Sequence, residues 1–159
     1  MNKFLINFYQ PLFSIIYIFS LLIGLVTIDI SSATAENLSN HLLKQAPIEI
    51  TVSLGNTDNE LKFEPNRLEF AVGKRYNLKL KNPSSQKHYF TAKDFADAIW
   101  TQKVEAGNVE IKGNIRELEL KPGAEAEWIF VPVKAGKYAL RCIIPGHTEA
   151  GMKGEIVIR

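Results

Sequence analysis

The sequence predicts an all-β protein, and specifically an antiparallel β-sandwich. From Ile48 to Leu54, apolar residues alternate with polar ones, and the same alternation returns several times before the C-terminus. This is the pattern of strands that bury one face. The alternating segments are short and end at turns that contain Gly or Pro, which favours a sandwich over repeating strand-helix-strand units. A domain of this length can bury a sufficient core without disulfides.

The strands can be assigned in chain order from their apolar faces. The predicted strands are residues 48–54, 68–72, 76–80, 118–120, 125–131, 138–142 and 155–158. Turn signals stand between them at Gly73-Lys74, Asn82-Pro83 and Lys121-Pro122-Gly123. In the strand at 138–142, Cys142 shares a face with the apolar side chains, so we expect it to point toward the core.

One segment departs from the strand pattern. Residues 91–103 carry Phe95, Ile99 and Trp100 at helical offsets, with alanines between them. We therefore expect a short helical insertion after His88. The favoured interpretation is that it packs its aromatic side on the sandwich, and the alternative is a lid over a binding site.

The N-terminal residues predict an export signal. Residues 2–27 carry the single charge of Lys3 and a long apolar run, and Ala33-Thr34-Ala35 follows as a cleavage site. We assign residues 1–35 to a signal peptide, 36–47 to a flexible linker and 48–159 to the folded domain. The alternative is an uncleaved membrane anchor, since the apolar stretch at 11–28 approaches the length of a spanning helix.

The net charge and the cysteine content limit what the protein can be expected to bind. The chain has 19 Lys and Arg against 17 Asp and Glu, a net charge of +2, and no dense basic run. This argues against a nucleic-acid partner. Cys142 is the only cysteine, and exported proteins meet an oxidising environment in which cysteines pair. A bound metal would protect this sulfur by holding it as a thiolate.

The residues around this cysteine have the spacing of copper ligands. Cys142, His147 and Met152 stand at five-residue intervals on one short segment. A thiolate, two imidazoles and a weak axial thioether form a blue-copper electron-transfer site, so a second histidine is required. His88 follows a predicted strand and can supply it, whereas His41 lies in the linker and is expected to be solvated. We predict one copper ion bound by His88, Cys142, His147 and Met152.

Other metal sites fit these residues less well. A dinuclear copper site needs two bridging thiolates, and a structural zinc site needs four strong ligands, which a thioether is not. The predicted ligand set also leaves no open equatorial position and no second metal for catalysis. The sequence therefore predicts that the protein is not an enzyme.

Residues 138–158 resemble the C-terminal ligand loop and last strand of the cupredoxins, the family of small blue-copper proteins that includes plastocyanin and azurin. The four-residue gaps between the ligands are most similar to rusticyanin, and the resemblance covers residues 48–159. It implies a Greek-key sandwich of about eight strands with copper at one end. It also implies that His88, Cys142, His147 and Met152 are the copper ligands.

Two positions depart from the family pattern. Tyr89 stands where many relatives have Asn or Ser linking the two ligand loops, so a backbone contact or the tyrosine hydroxyl would have to substitute. Ile143 follows the cysteine where several relatives have Thr or Ser. Fewer hydrogen-bond donors near the sulfur change the reduction potential.

These expectations describe a monomeric one-electron carrier that cycles between Cu(I) and Cu(II). By resemblance, the edge of His147 is the electron port, and Ile144, Pro145 and Ala150 could form an apolar patch for brief docking of redox proteins. Bacterial periplasm and thylakoid lumen both suit an exported cupredoxin. Three alternatives stay open: a copper carrier or store, an accessory copper domain of a membrane complex, and a metal-free binding sandwich.

Overall fold

The computed structural model describes residues 44–159. The predicted signal peptide 1–35, most of the predicted linker, and His41 therefore lie outside the described residues. Within residues 44–159, no helix has the length and apolarity that crossing a membrane requires.

Eleven strands and one short helix make up this part of the chain. In chain order they are β1 (Ile48–Leu54), β2 (Phe63–Glu64), β3 (Arg67–Phe70), β4 (Tyr76–Lys81), β5 (His88–Thr91), α1 (Lys93–Ala96), β6 (Ile99–Ala106), β7 (Val109–Ile111), β8 (Glu117–Leu120), β9 (Glu125–Pro132), β10 (Gly136–Arg141) and β11 (Lys153–Ile158). One sheet has the order β2-β1-β4-β9-β6-β7 and the other the order β3-β11-β10-β5-β8. The predicted all-β sandwich is confirmed.

The strands differ from the prediction in their pairing and in their number. Of the nine strand pairs seven are antiparallel, while β1 with β4 and β3 with β11 run parallel. The strand count also exceeds the expected eight or so, because edge strands of two or three residues such as β2 and β7 carry too little alternation to be recognised.

The short helical insertion is confirmed, but it is smaller than predicted. Only Lys93–Ala96 is helical, and the predicted segment 91–103 continues into β6, so Ile99 and Trp100 are strand residues. The predicted length of the helix was wrong because, over so short a segment, the spacing of a few apolar residues fits a helix and a strand equally well. Phe95 of α1 is fully buried, so the helix packs on the sandwich as favoured.

Aromatic rings fill the space between the two sheets. The Phe95 and Phe130 rings lie edge to face with centroids 5.4 Å apart, and Phe70 meets Phe130 in the same way at 5.2 Å. Trp128 is also completely buried. Pairs of this kind add about 0.5–1.5 kcal/mol each beyond the area they bury, so they give the sandwich a rigid core.

The strand ends bring the predicted ligands to one end of this core. β5 begins at His88, β10 ends one residue before Cys142, and β11 begins one residue after Met152. The antiparallel pairing of β10 with β11 places Arg141 opposite Lys153. The loop between these two strands therefore begins and ends at the same end of the sheet. The sheet that contains β5, β10 and β11 thus brings the ligand loop and the first residue of β5 together at one end.

Candidate metal centre

The loop of residues 142–152 is closed by backbone hydrogen bonds between its predicted ligands. The amide of Cys142 donates to the carbonyl of Met152 at 3.0 Å, and the amide of Met152 donates to the carbonyl of His147 at 2.9 Å. The hydroxyl of Thr148 also donates to the carbonyl of Cys142, at 2.6 Å. These backbone and side-chain bonds hold the three residues at fixed separations along the loop.

A tight turn folds His147 back toward the cysteine. The amide of His147 donates to the carbonyl of Ile144 at 3.0 Å, and Gly146 between them has a φ of +84°. Proline followed by a glycine in this conformation is the signature of a type II turn. As a result, His147 Nδ1 lies 3.6 Å from Cys142 Sγ, and the imidazole is half-buried. Pro145 and Gly146 thus form the turn that places this histidine.

His88, the first residue of β5, approaches the same point from the strand beside β10 in the same sheet and is completely buried. Its ring centroid is 5.3 Å from that of His147. The ring nitrogen Nε2 lies 2.9 Å from the hydroxyl of Ser84. The other nitrogen, Nδ1, is buried and has no hydrogen-bond partner among the residues that the structure describes. Buried nitrogens are seldom left unpaired in proteins, so Nδ1 is a strong candidate for a metal ligand.

Together the two histidines and the cysteine form a group of the right size for one ion. One ligand atom from each of His88, Cys142 and His147 can be chosen so that all three lie within 4.8 Å of one another. Three atoms that each bind one ion at about 2.0–2.3 Å have comparable separations. Two imidazoles with one thiolate are also the equatorial set that suits copper.

The surroundings keep His88 in the form that binds metal. Burial lowers the pKa of His88 below its ordinary value, and the nearby His147 lowers it further. Metal ions bind the neutral imidazole, so a lowered pKa removes competition from protons.

A backbone donor replaces the small polar residue that the family carries after the upstream histidine. The amide of Tyr89 donates to Cys142 Sγ at 3.4 Å, so the two ligand loops are joined through the main chain. The tyrosine hydroxyl turns away and bonds to the carboxylate of Glu119. Of the two substitutes expected from the sequence, the structure therefore contains the backbone contact.

Met152 is completely buried and belongs to the main hydrophobic cluster, at the end of the ligand loop. Its backbone is bonded to both Cys142 and His147, as described above. Its role as the axial ligand stays a prediction.

Two residues near His88 were not predicted from the sequence. Ser84 bonds to the His88 ring, and a Cβ placed on Gly55 would lie only 3.1 Å from His88 Nε2. The Asn82-Pro83-Ser84-Ser85 segment is recognisable as a hydrogen-bonded turn. Nothing in its composition, however, indicates which side chain reaches the histidine.

Apolar residues of the 142–152 loop reach the surface together with the exposed carboxylate of Glu149. Pro145 and Ala150 are exposed, Ile144 is half-buried, and the neighbouring Ile143 is 41% exposed. We refer to these four residues as the loop patch.

Comparison with known proteins agrees with this geometry. The family model described as a cupredoxin-like domain matches residues 21–158. A curated relative, the copper-resistant cuproprotein CopI of Rubrivivax gelatinosus, is 49% identical over 37 residues, which are 23% of this chain and 22% of that protein. The matched region is thus about a fifth of the length of this relative.

Solved structures of low sequence identity share the fold. Reduced auracyanin from Roseiflexus castenholzii is 19% identical with a TM-score of 0.51, over 72% of this chain and 99% of that one. A copper-containing nitrite reductase from Thermus scotoductus is 12% identical with a TM-score of 0.56, over 76% of this chain and 33% of that one. A multi-copper oxidase from Pediococcus acidilactici has the same TM-score at 16% identity, over 73% of this chain and 27% of that one.

Proposed function

Because this chain belongs to the cupredoxin-like family, we propose that it is an exported blue-copper protein that carries one electron at a time. Family membership and the His-Cys-His group identify copper as the cofactor. We assign His88, Cys142 and His147 as the equatorial ligands and Met152 as the axial one. The observation that carries this assignment is the convergence of three ligand atoms to within 4.8 Å.

Copper supplies a centre that can be reduced and reoxidised by one electron, and the chain holds the ligands in place. Cys142 and His88 are fully buried, so water has little access to them. The Tyr89 amide donates to the sulfur, and the backbone bonds of the 142–152 loop fix the remaining ligands. Ligands that do not move when the charge changes keep the reorganisation on electron transfer small.

Electrons would enter and leave at the exposed side of His147. This ring is half-buried, whereas the His88 ring is completely enclosed. The loop patch around His147 offers an apolar surface for transient docking of a redox protein, and such short-lived contacts need only a small area. The proposal includes a monomer, a cleaved signal peptide, and a periplasmic or thylakoid-lumen location.

Reversible electrochemistry tests this function directly. We expect the copper-loaded protein to give a one-electron wave with fast exchange at an electrode. Ile144→Asp should slow electron exchange with a redox partner, because a charge on the loop patch opposes docking at an apolar surface. Glu64→Gln, a change on the exposed surface of β2, is the control. An irreversible wave, or copper that leaves on reduction, would contradict the proposal.

A copper carrier or store is the second candidate. The 37-residue similarity to a protein named as a copper-resistant cuproprotein favours it. A carrier should pass its copper quickly to a chelator of similar affinity, whereas an electron carrier should retain copper in both oxidation states. The chain contains only two methionines, Met1 and Met152, and lacks the Met-rich runs that carriers often use.

We further propose that the chain is not itself an enzyme. The fold is shared with a copper nitrite reductase and a multi-copper oxidase, of which this chain spans 33% and 27%. Four ligands around one copper leave no position for a substrate. Measurable nitrite reduction or oxidase turnover by the isolated protein would overturn this part of the proposal.

A further inference from the structure

We propose that Ser84 is a positioning residue for His88. It holds the ring in one orientation with the proton on Nε2, so that Nδ1 is the nitrogen presented to copper. This inference rests on the proposed function, because it assigns Ser84 a role at the same site.

The hydrogen bonds around the Ser84 hydroxyl allow an arrangement in which His88 Nε2 is the donor. A hydroxyl has one proton to donate and two lone pairs that can accept. The amide of Gln86 donates to Ser84 Oγ at 2.9 Å, and Oγ donates to the carbonyl of Gln86 at 3.1 Å. When Oγ gives its only proton to Gln86 in this way, Ser84 accepts the 2.9 Å bond from His88, and Nε2 carries the proton.

The opposite arrangement is less favourable. If Ser84 donated to Nε2, the proton of the neutral ring would lie on Nδ1. That nitrogen is buried and has no partner within the described residues 44–159. A buried N–H without an acceptor costs about 1–3 kcal/mol. The observed network therefore favours the tautomer in which Nδ1 has a free lone pair.

Ser84 is itself held by a buried asparagine. The side-chain oxygen of Asn82 accepts from the amide of Ser84 at 3.1 Å. The amide group of Asn82 donates to the carbonyl of Gln86 at 2.7 Å and to the carbonyl of Leu120 at 2.8 Å. Asn82 is only 1% exposed, so these bonds do not exchange readily with water. They fasten the serine to the end of β8.

The backbone of Gly55 lies close to the ring nitrogen that bonds to Ser84. A Cβ at this position would lie 3.1 Å from both His88 Nε2 and Ser84 Cβ, which is tighter than ordinary contacts. Its φ of +75° also favours glycine. The main chain just after β1 therefore approaches the Ser84–His88 bond closely, and the imidazole has little room to turn away from the serine.

The first test uses the copper-free protein. Long-range ¹H–¹⁵N NMR correlations report which nitrogen of each histidine carries the proton. We expect His88 to be protonated at Nε2 alone, with slow exchange of that proton with water. A proton on Nδ1, or rapid interconversion of the two forms, would overturn the proposal even before any variant is made.

The second test compares two neighbouring serines. Ser84→Ala removes the acceptor for Nε2. Ser85→Ala removes a hydroxyl of the same loop that bonds instead to the side chain of Asn59 at 2.8 Å. Loss of a group that orients a metal-binding histidine typically weakens metal affinity about 10–100-fold. We expect such a loss of Cu(I) affinity for Ser84→Ala, measured against a Cu(I) chelator, and wild-type affinity for Ser85→Ala.

NMR and EPR spectra show whether the loss comes from positioning. Ser84→Ala should keep a folded backbone spectrum, while His88 becomes a mixture of tautomers and the Cu(II) EPR lines broaden. Unchanged affinity and a single unchanged His88 tautomer in Ser84→Ala would overturn the proposal. If instead Ser84 fixes the tautomer in the copper-free protein but copper gives no blue site, the positioning role stands and the proposed function fails.

Discussion

The two histidines of the metal centre are held by different means. His88 is fully enclosed, bonded through its side chain to Ser84, and placed at the first residue of a strand. His147 is half-buried on a loop, and its position comes from the backbone bond that closes the turn after Ile144. One ligand is thus fixed by the sandwich and the other by its own loop.

This difference suggests a division of tasks. A ligand that is buried and bonded on its far side sets the geometry of the site and resists disturbance. A ligand at the surface provides a short path for an electron, but it also gives water and small molecules access to the metal centre. Changes on the His88 side should therefore affect folding and geometry, whereas changes on the His147 side should affect exchange with partners.

The largest expected effect comes from removing each ring in turn. His88→Gly and His147→Gly should both lose the blue colour. Added imidazole should restore the colour to His147→Gly, because the gap opens to solvent, and should fail with His88→Gly. Titrating each variant with imidazole and following the blue band by visible spectroscopy measures how far its colour is restored. Equal rescue of the two variants would contradict the proposed difference in access.

Substitution of Gly55 tests how tightly the His88 side is packed. Gly55→Ala should be compared with Gly73→Ala, because the two glycines have φ values of +75° and +74° and a Cβ on Gly73 meets no described atom within 4 Å. The backbone strain of about 1–2 kcal/mol is then common to both. Overpacking against His88 should add about 1–3 kcal/mol for Gly55→Ala. Urea unfolding measures the difference, and equal losses would show that the contact is unimportant.

Met152→Leu should have a smaller effect on stability and a clear effect on the metal. The exchange conserves volume, so the free energy of unfolding should fall by less than about 1.5 kcal/mol. The blue band should remain, because thiolate and imidazoles remain, but the reduction potential should move. Leu140→Met, the reverse exchange in the same core, should leave the potential unchanged. Identical potentials for Met152→Leu and the wild type would remove Met152 from the ligand set.

The smallest effect expected is a pH dependence of the copper-free protein. The lowered pKa of His88 means that the unfolded chain, in which the ring titrates near 6.5, binds a proton that the folded protein does not. Stability is therefore fully present above about pH 6.5 and falls as the pH drops below it. Urea unfolding of the wild type and of His88→Gln between about pH 5 and 8 measures this. The same pH profile for both proteins would exclude His88 as the cause.

Much of the fold could be predicted from the sequence, because alternation records which face of each strand is buried. The strands that contain Leu54, Leu80 and Trp128 were recognised in this way. The helix was overestimated because Phe95 belongs to a single turn, while Ile99 begins a strand. Parallel pairing of β1 with β4 depends on how distant segments meet, which local patterns do not record.

The same limit applies to the metal centre. Cys142, His147 and Met152 were found because their spacing along one loop carries chemical information. His88 was found because few histidines are available. Ser84 was missed because the conformation of its turn, and not its composition, brings the hydroxyl to a ring four residues later. Gly55 was missed because it meets His88 from a distant part of the chain, and serine and glycine are ordinary residues in any turn.

The visible and EPR spectra of the chain loaded with one equivalent of Cu(II), recorded beside Cys142→Ser, test the central claim most directly. We predict an intense blue band from the sulfur of Cys142, with a small parallel hyperfine splitting, and the loss of both in the variant. A pale spectrum typical of square-planar copper, or a blue band that survives in Cys142→Ser, would contradict the proposed copper site.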